Sequence, residues 1–208
     1  MQTTGVYFFE QQSWIGKKIL FFLLCLLAFG PVGPGQTALA GGFDTSNDSL
    51  ALLTGYGQSF PGWGLTTQRV ETIDLVGRYN HVILNDLGSG WLRGYHSILL
   101  ELPVHVVVSP DVSAMLAVNF LAAYTFTADT DVQPYIFGGG GPVYSFADVP
   151  GMGAEWNGNY QFGAGLDYDW QGPHHLLFEV RYHHISNGGA EEPNDPLNSI
   201  KLLVGFTF

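Results

Sequence analysis

The sequence predicts an all-β protein: an eight-stranded antiparallel transmembrane β-barrel of the outer membrane. Three observations predict it. Eight segments of about ten residues alternate in hydrophobicity between turn residues. Several of these segments carry apolar and aromatic side chains on one face and small or charged ones on the other. Charged residues are only 12% of the chain against 14% aromatic, too few to clothe a solvated helical surface, and no long 3.6-residue stripe occurs. A soluble sandwich also alternates, but with its apolar side inward. Apolar faces ending in aromatics, opposite polar or small ones, fit a wall with lipid outside. About ten residues tilted ~45° cross the hydrocarbon. Closure then removes the strand edges that lipid cannot satisfy.

Residues 1–40 are expected to be a removed secretory signal peptide. Lys17 and Lys18 precede the apolar run Ile19–Phe29, and Thr37-Ala38-Leu39-Ala40 supplies a small-residue cleavage site. The run is too short for a good membrane-spanning helix. Residues 41–208 then make one barrel domain. Cys25, the one cysteine, lies within the run and outside any lipobox. The mature chain therefore holds no disulfide, thiolate nucleophile or cysteine-based zinc site. Removing Lys17, Lys18 and Glu10 from the 7 basic and 18 acidic residues leaves five against seventeen, a formal charge of −12. That balance argues against nucleic acid. It is compatible with a membrane, because carboxylates can occupy a lumen or loops behind a neutral wall.

The strand segments run roughly over 50–58, 69–79, 95–108, 112–126, 132–146, 158–170, 174–186 and 198–208. Turn residues part them at Pro61-Gly62, Asn85-Asp86, Ser109-Pro110-Asp111, Ala128-Asp129, Pro150-Gly151, Gly172-Pro173 and 188–196. The 80–96 stretch is long for the periplasmic turn that this strand count makes it. The sixth segment shows the alternation most clearly. Tyr160, Phe162, Ala164, Leu166, Tyr168 and Trp170 share one face, opposite Gln161, Gly163, Gly165, Asp167 and Asp169. The eighth sets Ile200, Leu202, Val204, Phe206 and Phe208 opposite Ser199, Lys201, Gly205 and Thr207. Eight strands close a lumen just wide enough for side chains to fill. Glu101, His105, Asp167, Asp169, Glu179, Arg181, His183 and Lys201 are expected there, mostly as paired polar filling. Phe208 after alternating apolar residues fits, by analogy, the C-terminal signal read by outer-membrane assembly.

The seventh segment carries the chemistry. Leu176, Phe178, Val180 and Tyr182 share the lipid face, and His184 and Ser186 continue it. A two-residue offset on a strand puts both side chains on one face. His183 has the other parity and turns inward. A hydroxyl beside a base is the minimum for ester hydrolysis through a covalent intermediate. A third group must hold the imidazole in the right tautomer. Asn198 enters the last strand on the lipid face, expected level with Ser186, and its amide oxygen can accept from His Nδ1–H. Backbone N–H groups of Asn187 and Gly188, or the amide of Asn194, are candidate oxyanion donors. No cofactor is implied. His174, His175, His183 and His184 do not suggest a metal site, because neighbours on a strand face opposite ways and the pairs sit at opposite ends of it.

The stretch Arg181-Tyr182-His183-His184-Ile185-Ser186-Asn187-Gly188, with Pro193-Asn194-Asp195-Pro196 before the final strand, resembles the C-terminal motif of the PagL family of lipid A 3-O-deacylases, also called acyloxyacyl hydrolases. The family motif is His-x-Ser-Asn, a short loop with Pro-Asn, then the last strand. The resemblance implies an eight-stranded outer-membrane barrel that hydrolyses the 3-O-linked acyl chain of lipid A in lipopolysaccharide. It implies His184 as general base, Ser186 as nucleophile, and Asn187 and Asn194 in support. One position departs from the family: by spacing, the Glu that orients its His is Asn198 here. Glu191, Glu192 and Asp195 lie close by and would substitute under a shifted register. The resemblance covers 181–208; elsewhere it rests on strand count and hydrophobic pattern.

The expected partners are lipid A and outer-membrane lipid. Two other functions fit the pattern: a non-enzymatic small barrel for envelope integrity or adhesion, acting through loops 147–157 and 187–197, and a narrow pore.

Overall fold

A computed structural model of the chain describes residues 47–128, 131–146, 149–171 and 174–208. The expected signal peptide and Cys25 lie outside the described residues. The strands are β1 (Asp48–Ser59), β2 (Glu71–Leu87), β3 (Gly94–Ser109), β4 (Ser113–Ala117), β5 (Asn119–Phe126), β6 (Val132–Ser145), β7 (Trp156–Gln171), β8 (His174–Ser186) and β9 (Leu197–Thr207). β4 and β5 are two halves of one wall strand. They keep a single register against β3, with Leu116 opposite Val104 and Asn119 opposite Glu101. The break falls at Val118, whose N–H donates to the Pro142 carbonyl at 3.2 Å. Pro142 has no N–H to send back, so the pair exchanges one bond instead of two.

Every pairing is antiparallel, and the order β2-β1-β9-β8-β7-β6-β4/β5-β3 closes through β3 and β2. The result is a ring of eight wall strands, as the alternation predicts. One boundary differs from expectation. The 80–96 segment is mainly strand, because β2 runs on to Leu87 and β3 starts at Gly94. Two register shifts, between Val82 and Leu84 and between Leu84 and Leu87, carry this hairpin on. Only residues 88–93 remain as turn, with a short 3-10 helix at Gly90–Leu92. The sequence hid this extension because bulges break strict alternation.

Parity sorts the side chains. Leu52, Ile98, Leu102, Phe120, Ile136, Phe162, Phe178 and Leu202 stand exposed on the outer wall. An apolar band of that extent marks a lipid-facing surface. Inside, the lumen is layered. An apolar cluster that includes Leu53, Leu99, Leu121, Tyr135, Phe137 and Leu177 fills one end. A second, including Val107, Met115, Val143, Ile185 and Leu197, fills the other. Between them lie the charges. Arg181 Nη1 reaches Glu101 at 2.8 Å, and its Nη2 binds Glu179. Arg78 contacts Glu101 at 2.7 Å and Glu179 at 2.6 Å. Lys201 and His105 both bind Asp74, at 2.7 and 2.8 Å. Of the expected lumen residues, Asp169 is instead exposed, and Asp167 is half-buried, paired with His175 at 2.5 Å. Asp74 and Arg78 on β2 belong to the network and were not among those expected. Gly165 makes room for the network: a Cβ there would lie 2.3 Å from the Tyr135 ring. The Tyr135 hydroxyl donates to Glu179 at 2.6 Å.

The two ends differ in loop length. Along the chain, 6, 5 and 2 residues separate β2 from β3, β5 from β6 and β7 from β8 at the end that holds Asp48 and Thr207, while 11, 3, 10 and 10 separate β1 from β2, β3 from β4, β6 from β7 and β8 from β9 at the other. Barrels of this kind keep short turns in the periplasm and longer loops outside, which makes the second end extracellular. Strands of 13 to 17 residues, such as β8 and β2, exceed the span of the hydrocarbon, so their ends stand in the head-group layer.

Removing one member of a buried ion cluster strands its partners in low dielectric. Arg181→Met leaves Glu101 and Glu179 sharing Arg78, and should lower unfolding stability in urea by about 3–5 kcal/mol. Arg181→Met with Glu179→Gln restores neutrality and should recover part of that loss. An unchanged midpoint for the single variant would contradict the layered lumen.

Candidate active site

Cross-strand partners on one face of an antiparallel sheet stand about 4.5–5.5 Å apart at Cβ. The register uses this to build a row across three strands. Tyr160 of β7 and Asn198 of β9 both lie opposite His184 of β8. All three side chains point out of the barrel by parity. The Tyr160 ring stacks on the imidazole, with centroids 4.4 Å apart and planes 20° apart. On the other side, His184 Nδ1 is 2.7 Å from Asn198 Oδ1. Along the strand, His184 Nε2 is 3.0 Å from Ser186 Oγ. One imidazole therefore joins a hydroxyl and an amide oxygen, at the outer-leaflet end of the lipid-facing wall.

The three residues expected to act together are thus brought together. The details differ in two ways. Asn198 is level with His184, not with Ser186, since Leu197 already pairs Ile185. Loop length alone does not fix the register of the strand that follows. Asn198 also faces outward yet is only 5% exposed. The reason is the turn after β1, which folds over it. Asn198 Nδ2 donates to the Trp63 carbonyl and to Thr66 Oγ1, both at 2.9 Å. Its backbone N–H donates to Thr66 Oγ1 at 3.0 Å. The Tyr182 hydroxyl donates to Asn198 Oδ1 at 2.5 Å. Tyr160, Tyr182, Trp63 and Thr66 were not expected at the site. Parity alone marks both tyrosines as wall residues, and loop contacts from more than 130 positions away leave no local pattern.

The loop carboxylates do not replace Asn198 in this register. His184 Nδ1 meets the Asn198 oxygen, and the Asp195 carboxylate accepts from Thr67 Oγ1 at 2.6 Å. Of the expected oxyanion donors, one is bound elsewhere. The Asn187 N–H is spent on Asn194 Oδ1 at 3.0 Å, so the Asn194 amide offers that neighbour its oxygen, not its NH2. Asn187 Oδ1 accepts from Gly189 N at 2.9 Å. These bonds turn the chain sharply and shape the loop rather than a pocket. Gly188 has φ +68, a conformation glycine adopts without strain. His183 points into the lumen, 3.3 Å from Asn159 Oδ1.

These features define a small outer-membrane β-barrel that carries a Ser–His–Asn series on its lipid side. Comparison with known proteins specifies it further. The family model described as lipid A 3-O-deacylase (PagL) matches residues 72–207, and the chain belongs to that family. Among solved structures, the Neisserial surface protein A, NspA, aligns with a TM-score of 0.59 at 13% identity, covering 78% of this chain and 96% of that one. The outer membrane enzyme PagL aligns with a TM-score of 0.51 at 18% identity, covering 76% of this chain and 97% of that one. At these identities both speak for the fold alone. A search of curated protein sequences gives no match.

An imidazole 3.0 Å from a hydroxyl raises its nucleophilicity. A lipophilic fluorophosphonate should therefore label Ser186 in the folded barrel, and His184→Ala should slow that labelling at least about 10²-fold. Equal labelling of the two proteins would show that the pair is not coupled.

Proposed function

We propose that the protein is an outer-membrane ester hydrolase that removes the 3-O-linked acyl chain from lipid A. The observation that carries this reading is the His184–Ser186 contact on the face that touches lipid. Membership of the lipid A 3-O-deacylase family supports the substrate class. A lumen packed with side chains is no obstacle, because an outer-leaflet glycolipid reaches the wall by lateral diffusion.

The chemistry follows from the geometry. His184 Nε2 takes the Ser186 proton as Oγ attacks the ester carbonyl. The tetrahedral intermediate collapses, and the sugar oxygen leaves with the proton from His184. Water, deprotonated by the same imidazole, then hydrolyses the acyl-serine and frees the fatty acid. Asn198 Oδ1 holds Nδ1–H throughout and so keeps Nε2 as the base. A neutral amide stabilises the imidazolium less than a well-placed carboxylate would, so catalysis here depends on how closely Asn198 is held. The Gly188 N–H is the remaining backbone donor for the oxyanion. No metal or cofactor enters. The chain reaches its membrane through the periplasm, after loss of the signal peptide near Ala40.

Lipid A from cells expressing this chain should lose the mass of one hydroxyacyl group, measured by mass spectrometry. Ser186→Ala and His184→Ala should restore the parent mass while the barrel still assembles. Unaltered lipid A with the native chain would reject the hydrolase and favour a non-enzymatic barrel.

A further inference from the structure

Set against its family, Asn198 looks like a lost carboxylate. Its hydrogen bonds indicate a residue with a role of its own. We propose that the β1–β2 turn is a positioning device that makes this site specific for an amide at residue 198, with Trp63 and Thr66 as its working parts. The proposal rests on reading His184 and Ser186 as the ester-cleaving pair.

The two ends of an amide are told apart by their partners. On one side of Asn198 stands the Trp63 carbonyl, 2.9 Å away, a group that only accepts. The atom facing it must be the NH2. Thr66 Oγ1 lies 2.9 Å from the same nitrogen and also receives the Asn198 backbone N–H at 3.0 Å. Both lone pairs of that hydroxyl are engaged by these two donors. The Asn198 oxygen is left to face the wall, where it meets the Tyr182 hydroxyl at 2.5 Å and His184 Nδ1 at 2.7 Å. All four polar contacts agree on one orientation.

That orientation decides where a proton sits two bonds away. With Oδ1 against it, His184 Nδ1 must carry hydrogen, and Nε2 presents a bare lone pair to Ser186 Oγ. An inverted amide would set NH2 against Nδ1, move the hydrogen to Nε2 and abolish the base. A carboxylate would set an oxygen against the Trp63 carbonyl, acceptor against acceptor, with only the Thr66 O–H in reach to bind it. This pocket therefore favours Asn over Asp or Glu.

The turn is built for the approach. Trp63 N–H donates to the Phe60 carbonyl at 3.0 Å, and Gly62 N–H to the Thr66 carbonyl at 2.9 Å. Gly64 takes φ +60, and a Cβ there would come within 3.2 Å of Asn198 Nδ2. The Trp63 ring packs edge-on against Tyr182, centroids 5.2 Å apart. Thr66 is 3% exposed, so its hydroxyl is held among these groups. Trp63 and Thr66 touch no reacting atom; they act through Asn198.

The test uses the full-length chain in detergent with lipopolysaccharide as substrate. Thr66→Val keeps the shape of Thr66 and removes its acceptor, while Thr66→Ser keeps the acceptor. Asn198→Asp and Asn198→Glu install the carboxylate. Fold is checked by the heat-dependent gel shift of the intact barrel. Thr66→Val, Asn198→Asp and Asn198→Glu should each lower kcat between about 10- and 10²-fold with KM little changed, as a misplacement of about 1 Å does. Thr66→Ser should stay near native. A second reading comes from 15N NMR of the neutral imidazoles, with the His184 signal identified by its loss in His184→Ala. Nδ1–H should be the tautomer in the native chain and in Thr66→Ser, and a mixture should appear in Thr66→Val. A carboxylate variant as fast as the native chain would overturn the proposal. So would a Thr66→Val protein with unchanged kcat and tautomer. If the native chain releases no fatty acid, the hydrolase reading fails, and the tautomer then decides this inference alone: Nδ1–H supports it and Nε2–H overturns it.

Discussion

Hydrocarbon offers a protein no hydrogen-bond partner, and the rest of this structure follows from that constraint. Every backbone N–H and C=O within the membrane must be satisfied by another strand, so the sheet closes on itself. Closure leaves each side chain two choices, lumen or lipid. The ionised groups go inward, where Arg78, Arg181, Glu101 and Glu179 neutralise one another between two apolar layers. The outer wall keeps Leu, Ile, Val and Phe. Against that division, an imidazole and a hydroxyl on the lipid side stand out, since nothing about the fold requires them there.

The site draws on the same rule at its edge. Where β8 leaves the membrane, register replaces burial as the organising force. It sets Tyr160, His184 and Asn198 in one row across three strands, while pleat spacing supplies Ser186. A rigid wall holds the imidazole, stacked on one side and hydrogen-bonded on the other, and this is what preorganised catalysis asks of a scaffold. The loops then finish what the strands begin. The turn after β1 covers Asn198, and Thr67 to Asp195 ties that turn to the loop after β8.

Much of this was legible in the sequence, and the reason is the period of two. Strand number, the lipid face of β7, β8 and β9, and the outward parity of His184 and Ser186 follow from alternation that lipid enforces strictly. What was not legible depends on contacts between distant segments. Asn198 was expected beside Ser186 and lies beside His184, because the 187–196 loop could have delivered β9 in more than one register. The Asn187 N–H was expected at the oxyanion and is bound to Asn194, because a tight loop satisfies its own backbone first. Asp74 and Arg78 joined the lumen network through ion pairs with Lys201, Glu101 and Glu179 on other strands, contacts that no local pattern in β2 records. Trp63 and Thr66 could not be found at all from local pattern. The long β2–β3 hairpin was hidden by the bulges that let it continue past the membrane.

The central claim is that a hydroxyl on the outer wall of this barrel is a nucleophile toward a glycolipid ester. Acid quenching within the first turnover, followed by peptide mapping, tests it most directly. The account predicts a fatty acyl group esterified to Ser186 in the native protein, and none on any residue when His184 is replaced by Ala. Fatty acid release with an acyl group on another side chain, or release that persists in Ser186→Ala, would contradict it.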